Sequence, residues 1–260
     1  MLTLYHDGNT VCSIKARVAL AEKGLEWQSA PVDLKSGAQF QAEFLRLNPE
    51  GVVPVLVDGD FVLSESSAII EYVDQLTPEN PLMPQGAQAQ AETRMWLIRC
   101  IPIHAAINTL SFASVFRARQ LAMPREKVMA MFAAMPNPEI TAKRIDIFEN
   151  GMASVYVDGA LATLTRTFDW MQGQLEQGAW LGGPSYGLAD VALLAYVDRL
   201  DNLAFSGLWT QRYCAIGDWL ARARARPSYD AATAEYINAA ERADMRKAGE
   251  ATWPDLAAKL

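Results

Sequence analysis

The hydrophobic pattern of the chain changes near residue 80, and this change restricts what the chain can fold into. Before that point, apolar runs of strand type alternate with helical patterns in the order strand, helix, strand, helix, strand, hairpin, strand, helix. That order predicts a small mixed α/β domain with a four-stranded sheet. After residue 89, long helical patterns dominate, and they predict a helical bundle.

Prolines mark the boundary between these two regions. Pro78, Pro81 and Pro84 lie close to Gly86, which is the composition of a stiff, extended connector. We therefore predict a first domain over residues 1–78, a linker over 79–89 and an all-helical domain over 90–260.

Apolar periodicity predicts four long helices in the second domain, over residues 94–110, 153–175, 188–203 and 213–225. Pro102 is expected to kink the first of them. Prolines 124, 136 and 138 are expected to break the segment 111–151, and the tail after Tyr236 is predicted to form a surface helix.

Composition argues against several classes of function. The 260-residue chain is 51% hydrophobic and has a formal net charge of −7, whereas a nucleic-acid surface needs a basic face. Its three cysteines, Cys12, Cys100 and Cys214, are scattered, so neither a disulfide framework nor a metal site is predicted. We see no secretion signal and no uncharged apolar run of membrane-spanning length, and we therefore expect a cytoplasmic protein.

The first helical pattern begins at Cys12 and Ser13. Unsatisfied amides and the helix dipole favour an anion at such a position. The site would lower the pKa of Cys12 or hold the thiolate of a bound thiol, with a hydrogen bond from Ser13 or Thr10. The alternative is that Cys12 is a small buried apolar residue and Ser13 an ordinary helix cap.

Two further motifs predict recognition of a peptide. Pro54 interrupts an apolar run, and a cis Val53–Pro54 bond would let the Val53 amide and carbonyl pair with an extended peptide. Glu65 and Ser66 open the next helix, where a hydroxyl and helix amides bind a carboxylate and Glu65 binds an ammonium group. The pair therefore predicts a site for an amino-acid head group, with simple helix capping as the alternative.

Together these motifs resemble the cytosolic glutathione transferase superfamily over nearly the whole chain. The resemblance implies an α/β thioredoxin-like N-terminal domain plus an all-α C-terminal helical bundle, with glutathione as co-substrate. It implies that Pro54 is cis, that Val53 binds the cysteinyl part of glutathione, and that Glu65 and Ser66 bind its γ-glutamyl end. It also implies a homodimer, as is usual in the family.

The resemblance extends to less specific positions. Lys35 or Gln39 is expected to contact the glycyl carboxylate of glutathione. Gly187 and Asp190 match the family's Ser/Thr-x-x-Asp capping box except at the cap, and Asp190 is expected to accept from the Gly187 amide.

Residues Thr10–Arg17 are similar to two groups within the superfamily. One comprises the zeta-class maleylacetoacetate isomerases and the tetrachlorohydroquinone reductive dehalogenases, in which the cysteine forms a mixed disulfide with glutathione or assists isomerisation. The other comprises the bacterial β-etherases, in which the serine after the cysteine position helps to hold the thiolate. The long insert ending near Gly151 looks more like the β-etherase and dehalogenase branch, and Thr10 departs from the isomerase serine.

The expected chemistry is attack by glutathione thiolate on an aromatic or otherwise activated electrophile, by β-aryl ether cleavage or a related thiolysis. Ser13, with Thr10, would stabilise the thiolate. Alternatives are a reductive dehalogenase or a maleylacetoacetate-type isomerase using Cys12, and a peroxidase or glutathionyl-thiol reductase. A different class of function is a non-catalytic module that binds glutathione or a partner.

The acceptor substrate, a small hydrophobic and aromatic electrophile, is expected to lie between the two domains. The residues predicted to line its pocket are Tyr5, His6, Asp7, His104, Ile107, Asn108 and Phe112. The two histidines are better explained as satisfied polar residues than as acids or bases, and neither has metal-ligand spacing around it.

Overall fold

The computed structural model describes residues 1–135 and 137–260, so the predicted break at Pro136 lies outside the described residues. The chain divides into two compact units. The first unit contains residues 1–100, 174–197 and 218–238, and the second contains 101–173, 198–217 and 239–260. The domain boundaries predicted at residues 78 and 89 mark a change in the type of secondary structure and not a division into compact units. They stay a prediction.

The first unit is built on a four-stranded mixed sheet. Its strands are β1 (Leu2–His6), β2 (Trp27–Pro31), β3 (Val55–Asp58) and β4 (Phe61–Leu63). They lie in the order β2-β1-β3-β4, with β1 parallel to β2 and the other pairs antiparallel. Leu4 and Leu56 face each other across β1 and β3 and are buried. This sheet confirms the predicted thioredoxin-like α/β domain.

The helices α1 (Val11–Glu22), α2 (Ala42–Leu47) and α3 (Ser66–Leu76) complete the N-terminal part. The described residues form nine more α-helices after these: α4 (Ala87–Ser111), α5 (Arg117–Leu121), α6 (Arg125–Ala133), α7 (Pro138–Asn150), α8 (Val155–Leu175), α9 (Leu188–Asn202), α10 (Cys214–Arg224), α11 (Pro227–Thr233) and α12 (Ala239–Ala257). The predicted all-helical character after residue 89 is confirmed for the described residues.

Helix α4 differs from its prediction. It begins at Ala87 instead of residue 94, because the stretch of alanine, glutamine and glutamate before Arg94 consists of good helix formers. It contains Pro102 and continues through a π-helical segment at Phe112–Phe116 into α5. By length and composition alone, Ala87–Leu121 could cross a membrane, but 61% of its apolar window is buried inside the protein. A buried core helix passes the same test.

The proline-rich connector is fixed to the first unit by a buried ion pair. Lys23 Nζ lies 2.9 Å from Asp74 Oδ1 and also donates to the carbonyls of residues 79 and 80. Asp74 accepts from the amides of Leu82 and Met83, both at 2.8 Å. Because these groups satisfy one another, the connector has a defined path after α3.

The start of α9 confirms the hydrogen bond expected at the capping box. Asp190 accepts from the Gly187 amide at 3.0 Å, and also from the Leu181 amide and the Trp219 indole. A Cβ on Gly187 would lie 2.6 Å from the Leu82 carbonyl oxygen. The close approach of the connector backbone therefore explains why glycine replaces the hydroxyl residue at this cap.

Candidate functional site

At the start of α1, the side chain of the N-cap residue does not cap the helix. Thr10 is the N-cap, with extended φ and ψ of −76° and 136°, but its side chain does not accept from an amide of α1. Its hydroxyl instead donates to Ser13 Oγ at 2.6 Å. A helix N-terminus that its N-cap side chain does not cap is suited to an anion such as a thiolate.

Ser13 is more deeply buried than Thr10. Its side chain has no exposed surface, and its Oγ also accepts from the Asp7 amide at 3.3 Å. Thr10 and Cys12 are both partly exposed. A fully buried hydroxyl cannot touch a ligand without rearrangement, so Ser13 is a supporting residue for Thr10. This corrects the sequence-based preference for Ser13 as the direct donor.

Cys12 has a neighbour that the sequence did not indicate. Its Sγ lies 4.0 Å from the hydroxyl of Tyr196, a buried residue of α9 in the same unit. Burial, followed by the neighbouring Cys12, raises the pKa of Tyr196 well above its ordinary value. The phenol is therefore neutral at physiological pH and can donate a hydrogen bond to sulfur.

A buried polar cluster lies next to Tyr196, the neighbour of Cys12. Lys15 Nζ donates to Ser67 Oγ at 2.7 Å and lies 5.9 Å from the centroid of the Tyr196 ring. Burial raises the pKa of the nearby Cys100 thiol, and Lys15 opposes that shift. Cys100 is thus a neutral interior thiol, whereas Cys12 is accessible.

The second element of the candidate site is the segment before β3. The Val53–Pro54 bond is cis, which confirms the expectation drawn from the resemblance. Val53 belongs to a hydrophobic cluster with Val32, Phe44 and Val55, against which Tyr5 packs. β3 begins at Val55, so Val53 lies outside the registered strand pairs of the described residues. Its backbone is suited to pair with an extended peptide.

The third element is the start of α3. Glu65 is the N-cap and its side chain makes no capping hydrogen bond. It is exposed, whereas Ser66 at the first helical position is 7% exposed. The uncapped amides of α3 can bind a carboxylate, and the free Glu65 side chain can bind an ammonium group.

Lys35 and Gln39 lie between β2 and α2. Lys35 is exposed, and its amide donates to Asp33 Oδ1 at 3.0 Å. Gln39 Oε1 is buried with no hydrogen-bond partner in the part of the chain that the structure describes. Such an orphaned acceptor fits a site that a polar ligand completes.

The loop between β1 and α1 is held by Arg17, which sequence reasoning did not single out as a site residue. Its guanidinium donates to the carbonyls of Asp7 and Gly8, at 3.1 and 2.6 Å, and to that of Ala232 at 2.8 Å. It also lies 4.5 Å from the centroid of the Tyr236 ring. Arg17 therefore fixes the loop that positions Thr10.

His6 is part of this interior network. Arg17 Nη1 lies 2.9 Å from His6 Nδ1, and His6 Nε2 lies 2.8 Å from Ser29 Oγ. Because a guanidinium can only donate, Nδ1 accepts and Nε2 carries the proton. Burial, followed by the Arg17 charge, lowers the pKa of His6 to about 4. His6 is 1% exposed, which corrects its predicted position on the wall of the acceptor pocket.

The remaining pocket residues of the first unit are Tyr5 and Asp7, which are partly buried. Asp7 Oδ1 accepts from the Asn9 amide at 2.9 Å, as in a turn. The second unit contains His104, Ile107, Asn108 and Phe112. Ile107 is 2% exposed and Phe112 is 6% exposed, and both belong to the core, which corrects their predicted contact with substrate. His104 and Asn108 are partly buried.

Phe112 and Asn108 share a neighbour that the sequence did not assign to the site. The Arg144 guanidinium lies 4.0 Å from the centroid of the Phe112 ring and donates to Asn108 Oδ1 at 3.2 Å. Arg144 lies in the long insert that the sequence analysis noted. Periodicity alone could not predict which residues its side chain contacts. Tyr196 and Arg17 could not be predicted as site residues, because their partners, Cys12 and the Ala232 carbonyl, are distant in sequence.

Comparison with known proteins assigns the family. The family description "Glutathione S-transferase, N-terminal domain" matches residues 1–75, and "Glutathione S-transferase, C-terminal domain" matches residues 154–222. Glutathione S-transferase Z1 from Arabidopsis thaliana is 46% identical over 90 residues, which are 35% of this chain and 41% of that protein. Glutathione S-transferase TCHQD from the same plant is 25% identical over 245 residues, 91% of each chain.

Among solved structures, β-etherase LigF from Sphingobium sp. strain SYK-6 superposes with a TM-score of 0.76 at 26% identity, over 90% of this chain and 99% of that one. Four curated relatives that are 43–47% identical to this chain are matched over about 40% of their own length. The two family matches together span more than half of the sequence. The chain therefore belongs to the glutathione S-transferase family.

Proposed function

We propose that the protein is a glutathione-dependent transferase or lyase, in which glutathione thiolate attacks an aromatic or otherwise activated electrophile. The family uses glutathione as co-substrate. The observation that carries the proposal is that the N-cap residues of α1 and α3, Thr10 and Glu65, do not cap their helices with their side chains. One helix start suits a thiolate and the other suits the amino-acid end of a peptide.

Thr10 is the proposed direct donor to the glutathione sulfur. Its hydroxyl proton points to Ser13 Oγ. Rotation of that hydroxyl would direct the proton to sulfur, while Ser13 would donate to Thr10 in turn. An ordinary thiol titrates near pKa 8.5, so lowering it by about two units raises the thiolate fraction at neutral pH more than tenfold.

Glutathione itself would lie along the segment at Val53, with its γ-glutamyl end at Glu65 and Ser66. Its glycyl carboxylate would contact Lys35 or Gln39. The orphaned Gln39 oxygen supports a polar ligand there, although it accepts hydrogen bonds and does not itself bind a carboxylate oxygen. Lys35, or the amide nitrogen of Gln39, is the proposed contact.

The favoured reaction is cleavage of a β-aryl ether or a related thiolysis. The thiolate sulfur forms a bond to carbon, the carbon–oxygen bond breaks, and the phenolate that leaves takes up a proton. The similarity to a protein described as a β-etherase supports this choice. A cytoplasmic homodimer that binds neither nucleic acid nor membrane is part of the proposal.

A reaction that uses Cys12 is the second candidate, by reductive dehalogenation or isomerisation. It is favoured by one observation, the partly exposed Cys12 with its sulfur 4.0 Å from the neutral Tyr196 hydroxyl. In the dehalogenation, the Cys12 thiolate attacks the sulfur of the glutathionylated intermediate, the carbon–sulfur bond breaks, and the carbon that leaves takes up a proton. Cys12 is left in a mixed disulfide with glutathione, which the thiolate of a second glutathione cleaves to give glutathione disulfide and free Cys12. The similarity to the TCHQD protein is consistent with it.

The test supplies glutathione with a β-aryl ether, a chlorinated hydroquinone or a maleyl compound and identifies the products by mass. We expect a glutathione thioether and a free phenol from the ether. The isosteric Thr10→Val change should lower kcat by about 100-fold, the cost of losing one donor to a stabilised anion, while Cys12→Ala stays within about threefold. Cis–trans isomerisation alone would contradict the leading proposal, and retention on glutathione without turnover would favour the binding module.

A further inference from the structure

Arg17 is a buried cation of α1 whose hydrogen bonds, in the part of the chain that the structure describes, all go to uncharged groups. It is 1% exposed, although arginine is almost never fully buried unless it is paired. Glu22, the acidic residue of α1, pairs with Arg226 instead, at 2.6 Å. Burial lowers the pKa of Arg17 to about 10, and Tyr236 and Asp7 oppose that shift. The guanidinium therefore keeps its charge at neutral pH and depends on its hydrogen bonds in place of water.

The Arg17 guanidinium joins the loop before α1 to the end of α11. It donates to the carbonyls of Asp7 and Gly8, at 3.1 and 2.6 Å, and to the Ala232 carbonyl of α11, at 2.8 Å. Its fourth acceptor is His6 Nδ1, at 2.9 Å. A guanidinium has five donors in a rigid planar fork, whereas a lysine ammonium has three on one nitrogen. A lysine therefore cannot replace all of these contacts.

A second contact joins the same two segments. We call residues 232–236, the end of α11 and the turn after it, the clamp segment. The centroid of the Tyr236 ring lies 4.5 Å from the Arg17 guanidinium carbon and 5.2 Å from the centroid of the His6 ring. A Cβ on Gly8 would lie 2.2 Å from the Tyr236 carbonyl oxygen. The backbones of the loop and of the clamp segment are therefore in close contact, which requires glycine at residue 8.

The part of the loop that Arg17 holds is linked to Thr10. The Asp7 amide donates to Ser13 Oγ at 3.3 Å, and the Thr10 hydroxyl donates to the same oxygen at 2.6 Å. The residue whose carbonyl binds Arg17 is thus also the residue whose amide contacts the Ser13 hydroxyl. A displacement of Asp7 would move both hydroxyls, and a misplacement of about 1 Å can cost on the order of 100-fold in rate.

We propose that Arg17 and the clamp segment position Thr10 for the glutathione sulfur, so that the end of α11 and the turn after it belong to the thiolate site. This inference rests on the proposed function, because it concerns the donor to that sulfur. Arg17 and Tyr236 act through Thr10 and take no part in the carbon–sulfur bond that forms, so they are positioning residues.

The experiment titrates the thiol of bound glutathione by ultraviolet difference spectroscopy in the wild type, Arg17→Lys and Gly8→Ala. The first change keeps a cation and removes the planar fork, and the second keeps every polar group and forces the loop and the clamp segment apart. In both variants we expect the thiol pKa to rise by about one unit or more and KM for glutathione to stay within about threefold. A loss of stability alone would lower the amount of folded protein and would not change the thiol pKa.

Arg222→Lys and Gly182→Ala are the matched controls. Arg222 of α10 is exposed and, like Arg17, donates to a backbone carbonyl and lies beside an aromatic ring. A Cβ on Gly182 meets only the Ala189 side chain, at 3.9 Å. Neither control should shift the thiol pKa. A wild-type value in either Arg17→Lys or Gly8→Ala overturns the inference, and Gly8→Ala alone decides if the lysine variant does not fold.

If glutathione bound to the wild type keeps an ordinary thiol pKa, the proposed function has failed, and amide hydrogen exchange of residues 7–10 tests the clamp by itself. Exchange that is faster by about tenfold or more in Arg17→Lys and Gly8→Ala, and unchanged in the controls, supports the positioning of Thr10. Unchanged exchange in the loop overturns it.

Discussion

The hydroxyl of Thr10 donates to the hydroxyl of Ser13 over 2.6 Å instead of capping α1. Ser13 is fully buried and also accepts from the Asp7 amide, so it holds Thr10 from behind. The partly exposed member of this pair stands at the helix start, where an anion is favoured. From this arrangement we propose that the activity depends on Thr10 rather than on Ser13.

Glu65 should matter for binding and not for thiolate chemistry. Glu65→Gln removes the charge that would pair with the amino group of glutathione and retains the size of the side chain. We expect KM for glutathione to rise by about tenfold with kcat within about twofold, as for the loss of a uniform binding contact. Steady-state kinetics at varied glutathione checks this. The exposed Glu43 of α2 offers a control in Glu43→Gln, and an equal effect of the two changes would argue against the assigned contact.

His6 should make the fold sensitive to mild acid. Its pKa is about 4 in the folded protein and about 6.5 when unfolded, so the unfolded chain binds the extra proton first as the pH falls. Neutral His6 contributes about 3 kcal/mol to the free energy of unfolding. This contribution is fully present above pH 6.5 and is lost as the pH falls from 6.5 to 4. Urea unfolding across this range should show the loss, and His6→Gln, which cannot be protonated, should show a shallower one. Parallel curves for the two proteins would refute this role.

Asp190 should be important for stability because it accepts from three donors, the amides of Leu181 and Gly187 and the indole of Trp219. Asp190→Ala leaves these buried donors unpaired, and we expect a loss of about 3–5 kcal/mol in the free energy of unfolding. The exposed Asp218 of α10 gives the control Asp218→Ala, which should change the value by less than about 0.5 kcal/mol. Similar denaturation midpoints for both variants would contradict the prediction.

Gly187→Ser restores the hydroxyl that the family's capping box carries, yet it should destabilise this chain. A Cβ at residue 187 would lie 2.6 Å from the Leu82 carbonyl oxygen, so the connector or α9 must shift. We expect a loss of about 1–3 kcal/mol, as for overpacking. Gly173→Ser in α8 is the control, since a Cβ there meets nothing within 4 Å. Thermal melting of both variants checks this, and a more stable Gly187→Ser protein would show that the connector yields easily.

Local patterns in the sequence predict much of the fold. The apolar run from Leu2, the turn formers Asp7 to Asn9 and the periodicity after Ser13 specify β1, the loop and α1, because each depends on near neighbours. The same holds for the hairpin turn at Gly59, between β3 and β4. Helix starts are less certain, as the early beginning of α4 shows.

Contacts between distant segments could not be predicted in this way. Arg17 and the Ala232 carbonyl are 215 residues apart, and Cys12 and Tyr196 are 184 apart. Periodicity places Arg17 on a helix without revealing that it is buried, because arginine is normally a surface residue. That Thr10 is partly exposed while Ser13 is buried likewise depends on the geometry of the loop that Arg17 fixes. A single sequence does not reveal that geometry.

The most direct test of the central claim is an ultraviolet difference titration of glutathione bound to the wild-type protein and to Thr10→Val. We expect the thiol of bound glutathione to titrate about two units below its ordinary value of about 8.5 in the wild type, and close to that value in the variant. An unshifted thiol in the wild-type complex, or the same shift in both proteins, would contradict the account of Thr10 at the start of α1.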